Sequence, residues 1–414
     1  MWLYLIIFSI PLFAYLKGGP INKDRLFLLG YILFLALFVG LSDMFGGSDR
    51  YIYGEVFDGI ADAITLGKNP FQDEGFLYFE KGYSILSLLI ALITENRYIF
   101  IFIITSIIYY NIYKVFERHF TNYPLAFIIF LGMIFFFTFT YLRQVLSYTI
   151  AWLSIQALID KDWKKFSLLI VITAFMHKSG IIFAILWFIP IKKWKSRQVI
   201  LVLFACAAIG LTGIVSSLYD AVMESGLMAS QGNDYNAEGG ARIAYVVEVA
   251  FFAWIILRNY DRIEANRQNL LFLNMAWAFC GFLLLFIRSS DGGRVAWFFT
   301  IGIVYIMTLI ATTKKNSVNV FARNHVPLLL ILVMLTLYIR VFNAWQQMNN
   351  LYPYKTFLTD GHRTPDYSFE NYEYDAAYDG DKFYRPAIRI FKKKNLDYSN
   401  KFINNDGKAE KFEF

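Results

Sequence analysis

Three groups of residues have types and spacings that could do chemistry. The first is His177-Lys178-Ser179-Gly180, which interrupts the apolar stretch 166–190 near its middle. Histidine titrates near neutrality and can accept a proton from a hydroxyl. Polar groups at membrane depth are costly and as a rule functional, so His177 is read as a base and Lys178 as a cation beside it. The second group is a set of arginines at the ends of apolar runs. Arg143 stands in Phe139-Thr-Tyr-Leu-Arg-Gln144, and Arg288-Ser-Ser-Asp291-Gly-Gly-Arg294 joins two further runs. A guanidinium presents a fork of donors that suits phosphate oxygens. Arg143, Arg288 and Arg294, with Asp291 between the last two and Arg242 at the start of another run, therefore read as anion-binding positions. A snorkelling anchor would also place an arginine at a span end, but such anchors favour the cytoplasmic side. The third group lies in segment 42–82, where carboxylates alternate with aromatic rings, as in a sugar-binding surface. Asp49, Tyr53, Glu80 and Tyr83 belong to it.

No Walker, G-x-G-x-x-G, H-E-x-x-H or G-x-S-x-G pattern occurs, and the acidic residues of segment 42–82 form no D-x-D pair. Metal-dependent nucleotide-sugar chemistry has no support in the sequence, and no cofactor or metal is expected. The two cysteines, Cys206 and Cys280, lie inside apolar runs and read as small packing residues.

The elements that must position these groups are membrane helices. Hydrophobic residues make up 57% of the chain and charged residues only 17%, against about 25% charged in soluble domains. The mean hydropathy is +0.45. These values predict an all-α polytopic membrane protein. Apolar runs at 1–16, 26–41, 98–113, 123–142, 145–159, 199–218, 243–257, 270–287, 295–311 and 326–342 predict about 10 spans. The first run lacks a basic leader region and a cleavage site, so it reads as a retained span.

Basic residues separate the two sides. Eighteen lie in the joints at 17–25, 114–118, 161–165, 192–197, 258–267 and 314–323, against eight in the opposite joints. The positive-inside rule puts the first set in the cytoplasm. The N-terminus, loops 42–82 and 219–242 and the polar tail 359–414 then lie outside, and residues 1–358 form the membrane domain. The net charge of +7 is thus topological and no sign of nucleic-acid binding. Stretch 166–190 has basic flanks at both ends, so it cannot be a single crossing. As helix, residues 166–176 reach ~17 Å, about half of a ~30 Å hydrocarbon core. The expectation is a pair of half-helices that re-enter with His177 at the turning point.

The motifs in their order resemble the EpsG family of Wzy-type polysaccharide polymerases. The residues that carry the resemblance are Asp49-x-x-x-Tyr53, Glu80-Lys-Gly-Tyr83, Tyr141-Leu-Arg143-Gln144, Phe175-Met-His177-Lys-Ser179, and Arg294 before Trp297-Phe298-Phe299. The resemblance spans residues 1–357 and leaves the tail outside. It implies a GT-C-like glycosyltransferase, independent of metal and nucleotide, in the bacterial cytoplasmic membrane with its site facing outward. Its donor and acceptor would be glycans linked to undecaprenyl pyrophosphate, with membrane lipid around it and a flippase and chain-length regulator as partners. His177, Arg143 and Arg294 would be catalytic. Asp49, Tyr53, Glu80, Tyr83, Lys178, Arg242, Arg288 and Asp291 would hold substrate, with Asp49 or Glu80 as alternative bases. An O-antigen ligase-type transferase would share these residues. A lipid-linked oligosaccharide flippase would instead need charges reachable from both sides, and Glu248 is the main intramembrane exception to the outward bias.

Overall fold

The computed structural model describes residues 2–42, 48–224, 241–289, 292–313 and 325–347, together with 351, 354, 356 and 358. Asp291, the interior of loop 219–242 and the tail 359–414 lie outside the described residues.

The chain opens with two apolar helices, α1 (Trp2–Lys17) and α2 (Arg25–Gly40). Segment 42–82 then folds as α3 (Ser48–Thr65) and α4 (Glu74–Tyr78) and leads into α5 (Lys81–Ala91). A long helix follows, α6 (Arg97–His119), then α7 (Tyr123–Met133), α8 (Phe137–Thr140), α9 (Leu142–Leu153) and α10 (Ile155–Asp160). The broken stretch is α11 (Trp163–Met176), a 3₁₀ segment over Lys178–Ala184, and α12 (Ile185–Phe188). Beyond it come α13 (Ser196–Leu211), α14 (Ile214–Glu224), α15 (Ile243–Arg258) and α16 (Arg267–Leu285). The last three helices are α17 (Gly292–Ala296), α18 (Thr300–Thr312) and α19 (Val326–Gln347). Among the described residues the one β feature is an isolated bridge, Ser42–Thr356.

The all-α membrane architecture agrees with the sequence expectation, but the count of about 10 spans does not follow. Among the described residues four helices are long and apolar enough to cross unaided: Arg97–His119, Arg267–Leu285, Gly293–Thr312 and Val326–Ala344. Others are shorter apolar helices, because several predicted runs break. Run 123–142 divides into α7 and α8 around an irregular turn after Met133. Run 145–159 is interrupted at Ser154, whose hydroxyl turns back to the Ala151 carbonyl at 2.6 Å. Run 199–218 ends its first helix at Thr212-Gly213, where Gly213 takes φ +76°, a conformation that side chains resist.

Two basic-end joints fix the ends of stretch 166–190. Arg267 donates to the carbonyls of Ile159 and Leu158 at 2.6 and 2.8 Å, just before α11. Asn274 donates to the Pro190 carbonyl at 3.0 Å and Lys193 Nζ to the Ile263 carbonyl at 2.8 Å, just after α12. Both limbs therefore start and finish at the same end of the bundle, and His177 lies at the far end of both. By rise per residue each limb is ~20 Å long.

Segment 42–82 is held at that far end by two buried arginines with structural roles. Arg50 is fully buried and donates to the carbonyls of Val39, Gly40 and Ser42, at 3.1, 3.4 and 2.8 Å, and to that of Phe139 at 3.3 Å. It satisfies the open carbonyls at the C-terminus of α2, where a cation also meets the negative end of the helix dipole. Arg97, at the start of α6, donates through Nε to Asp58 of α3 at 2.8 Å, and both are buried. Phe57 stacks on Phe100 at 4.2 Å one turn further along the same interface.

Candidate active site

Spacing on α3 does the first part of the positioning. Asp49, Tyr53 and Phe57 recur every fourth residue and so share one helix face. Phe57 docks that face on α6, and Asp49 and Tyr53 are carried inward above it. The Tyr53 ring lies 5.3 Å from Phe79 and 5.8 Å from Tyr83. Burial raises the Tyr53 phenol well above its ordinary value, with the Asp49 charge adding to the rise and Arg143 and Arg294 opposing it. Asp49, Arg143 and Arg294 are thus all within electrostatic reach of Tyr53.

Glu80 precedes the first residue of α5 and is the hub of the cluster. Its Oε2 accepts from Arg143 Nη1 at 2.7 Å, and its Oε1 accepts from the Lys178 backbone N–H at 3.0 Å. One carboxylate therefore ties segment 42–82 to the start of α9 and to the break between α11 and the 3₁₀ segment. Burial by itself raises the Glu80 carboxyl, but the Arg143 guanidinium, with His177 and the Lys178 N–H, outweighs it and holds the group below its ordinary value. The Arg143 guanidinium also lies over the Phe79 ring at 4.3 Å, a cation–π contact.

Two glycines allow these segments to approach. A Cβ on Gly82 would lie 2.6 Å from the Phe175 carbonyl oxygen, so α5 meets α11 backbone to backbone. A Cβ on Gly180 would lie 2.8 Å from Ser147 Oγ. That hydroxyl donates to the Thr173 carbonyl at 2.9 Å and joins α9 to α11.

His177 is buried, 4% exposed, and its ring is engaged on one side. Nδ1 accepts the Ser179 backbone N–H at 3.3 Å and lies 2.6 Å from Ser179 Oγ. A backbone N–H can only donate, so Nδ1 is the acceptor and the neutral ring carries its proton on Nε2. In this arrangement His177 caps the 3₁₀ segment through one nitrogen and offers a donor through the other. That differs from the proton acceptor read from the sequence. Lys178 is buried beside it and its charge reaches the ring.

Arg294 joins the cluster from the other half of the chain. Its charge acts on both Tyr53 and His177, and its guanidinium covers the Tyr141 ring at 4.4 Å. Gln144 Nε2 donates to the Arg294 carbonyl at 2.8 Å, which links the two arginine-bearing turns directly. The aromatic run that follows anchors the turn: Trp297 stacks on Phe137 at 4.1 Å, and the Phe298 carbonyl accepts from Trp152 Nε1 at 2.8 Å. Phe299 stacks on Phe282 at 5.0 Å.

Arg294 also lines a mainly apolar cavity of about 690 Å³ walled by α15, α16 and α19, with Tyr141, Tyr245, Trp297, Glu248 and Arg340 around it. Glu248 thus faces an internal space and not lipid alone. Arg340 was not singled out from sequence, although an arginine inside an apolar run is a visible signal.

Asp49, Tyr53, Glu80, Tyr83, Arg143, His177, Lys178 and Arg294 therefore come together. Arg242 and Arg288 do not join them among the described residues. Arg242 is exposed at the start of α15, where its N–H donates to the Ile287 carbonyl at 2.9 Å, and Arg288 Nη1 reaches the Leu211 carbonyl at 3.3 Å. Within the cluster two buried atoms, Arg143 Nε and Tyr83 Oη, have no hydrogen-bond partner among the described residues.

The family model for the EpsG family matches residues 25–356. No curated protein and no solved structure matches the chain.

Proposed function

The chain belongs to the EpsG family, a Wzy-like polysaccharide polymerase family, and from that premise we propose that it is a membrane glycosyltransferase that joins lipid-linked oligosaccharide repeat units on the outer face of the bacterial cytoplasmic membrane. The observation that carries the proposal is the gathering of Arg143, Arg294, Glu80 and His177 from four separate segments, at the end of the bundle away from the basic joints.

In the proposed reaction a hydroxyl of the acceptor sugar attacks the anomeric carbon of the donor glycan. The new glycosidic bond forms as the bond from that carbon to undecaprenyl pyrophosphate breaks, and the pyrophosphate leaves with the electron pair. Arg143 and Arg294 meet the charge that develops on it, where fixed donors in a water-poor site are most effective. The apolar cavity beside Arg294 offers the lipid chain a place next to that charge. The hydroxyl proton needs an acceptor. Asp49, half-buried in the first turn of α3 and within electrostatic reach of Tyr53 and Arg143, is the carboxylate assigned to take the proton. His177 contributes its Nε2 proton as a hydrogen-bond donor to a substrate oxygen.

The test is a comparison of Arg143→Ala, Asp49→Asn and wild type in cells, with membrane insertion verified. Each variant should lose long-chain glycan and accumulate single repeat units on the outer face. Full-length polymer in Arg143→Ala would overturn the site. Accumulation on the inner face in a deletion strain would favour transport over transfer.

A further inference from the structure

A second polar site lies at the opposite end of the bundle. A pocket of about 560 Å³ opens between the first turn of α2, the last turns of α6 and the junction of α9 with α10. Arg25, Lys114 and Arg118 line it, with Glu117 as the one carboxylate among its lining residues. Glu117 lies 3.6 Å from Arg25 and 3.5 Å from Lys114 and also accepts from Tyr113 Oη at 3.0 Å. Three cations thus line a pocket with one carboxylate, which Arg25 and Lys114 already flank. Gln156, also in the lining, turns its amide to Asp160 at 2.7 Å, so that carboxylate too is engaged.

The inner wall carries the second observation. His119 lines the pocket and is 5% exposed; its side chain engages Gln268, yet its Nδ1 has no hydrogen-bond partner among the described residues. A buried polar atom left without a partner bears the full cost of its lost hydration. Beside it Trp152 is fully buried and fixed by its bond to the Phe298 carbonyl at 2.8 Å, so this wall is preformed. Membrane topology alone accounts for cations at this end of the bundle. It requires neither a concavity nor a buried imidazole with an unpaired ring nitrogen in its wall.

We propose that this pocket binds a phosphate-bearing ligand. Guanidinium and ammonium groups donate to phosphate oxygens through charge-assisted hydrogen bonds, and the imidazole of His119 offers a further polar contact from the wall. The phosphate is presented either by the headgroup of an anionic lipid or by a soluble compound, and both reach the same groups.

The experiment uses the full-length protein in nanodiscs, with thermal stability as the readout. One arm titrates inorganic pyrophosphate into nanodiscs of phosphatidylcholine alone. The other replaces part of that lipid with phosphatidylglycerol. The variants are Lys114→Ser/Arg118→Ser, the milder Arg118→Gln, and a control outside the pocket, Lys164→Ser/Lys165→Ser. Wild type should show saturable stabilisation in at least one arm. The paired pocket variant should need about tenfold more ligand, as expected for the loss of contacts to two exposed cations, and the control should match wild type. If the paired variant does not fold, a few-fold loss in Arg118→Gln decides in favour. A response to pyrophosphate assigns the site to a soluble phosphate, and a response to phosphatidylglycerol alone assigns it to a headgroup. The proposal fails if neither arm stabilises wild type, if the pocket variants respond undiminished, or if the control loses as much as they do.

Discussion

The Arg143–Glu80 pair offers the sharpest test of how the site is built. Its charges lie 2.7 Å apart with side chains 8% and 11% exposed. At an effective dielectric of ~20 their attraction is ~6 kcal/mol, and the desolvation of two buried ions offsets several kcal/mol of that. Removing one partner is a different perturbation, because it leaves the other charge buried. Glu80→Gln keeps the size and an acceptor for the Lys178 N–H but strips Arg143 of its counter-ion, for a cost of ~3–5 kcal/mol. The Asp49 charge also favours the Arg143 cation, which moves the expectation to the lower end. Arg143→Met should cost a similar amount, since it strands Glu80. The double variant Glu80→Gln/Arg143→Met strands neither charge and should fall well short of the sum, with a coupling of ~2–3 kcal/mol. Equilibrium unfolding of the four proteins in mixed micelles measures the cycle. Additivity within ~0.5 kcal/mol would mean that the two residues do not act as a unit, and the tether described above would be wrong.

Further expectations follow from the same geometry. Glu80 has a lowered pKa in the folded chain, so its contribution to stability is complete above the unfolded value and is lost as pH falls through the folded one. The stability gap between wild type and Glu80→Gln should therefore stay level from pH 7 down to the ordinary carboxylate range and close only below it, as melting curves against pH can establish. Gly82→Ala forces a methyl onto the Phe175 carbonyl, and with backbone on both sides it should destabilise by ~1–3 kcal/mol or more; a variant as stable as wild type would contradict the close approach of α5 and α11. His177→Asn can place an amide oxygen where Nδ1 accepts the Ser179 N–H, as asparagine does at helix starts. It should keep wild-type stability and lose long-chain polymer, whereas His177→Ala loses both; active His177→Asn would show that the ring's second nitrogen is dispensable.

The motifs themselves were legible in the chain because charge in an apolar sequence is conspicuous. Arg143, Arg294 and His177 stood out once the basic joints were assigned to the other side, and all three lie in the cluster. Arg242 and Arg288 stood out for the same reason and lie apart from it, since distance from the basic joints fixes an end of the bundle and not a position within it. Arg50 and Arg97 carry the same charge at the same end, yet they serve α2's carbonyls and Asp58. Residue type does not distinguish an arginine that caps a helix from one that faces a substrate. The span count was not confirmed, for a local reason: hydropathy averages over Ser154 and Gly213, where the backbone turns.

From sequence alone came the membrane class, the two-sided distribution of charge and the broken stretch with both ends on one side. Each follows from composition or from the reach of a helix, quantities that need no knowledge of neighbours. Tertiary structure decided which groups meet. Glu80 joins Arg143 from 63 residues away and Lys178 from 98, and no periodicity encodes contacts across such distances. It also decided the surroundings of His177, which is buried within reach of the Glu80, Arg143 and Arg294 charges.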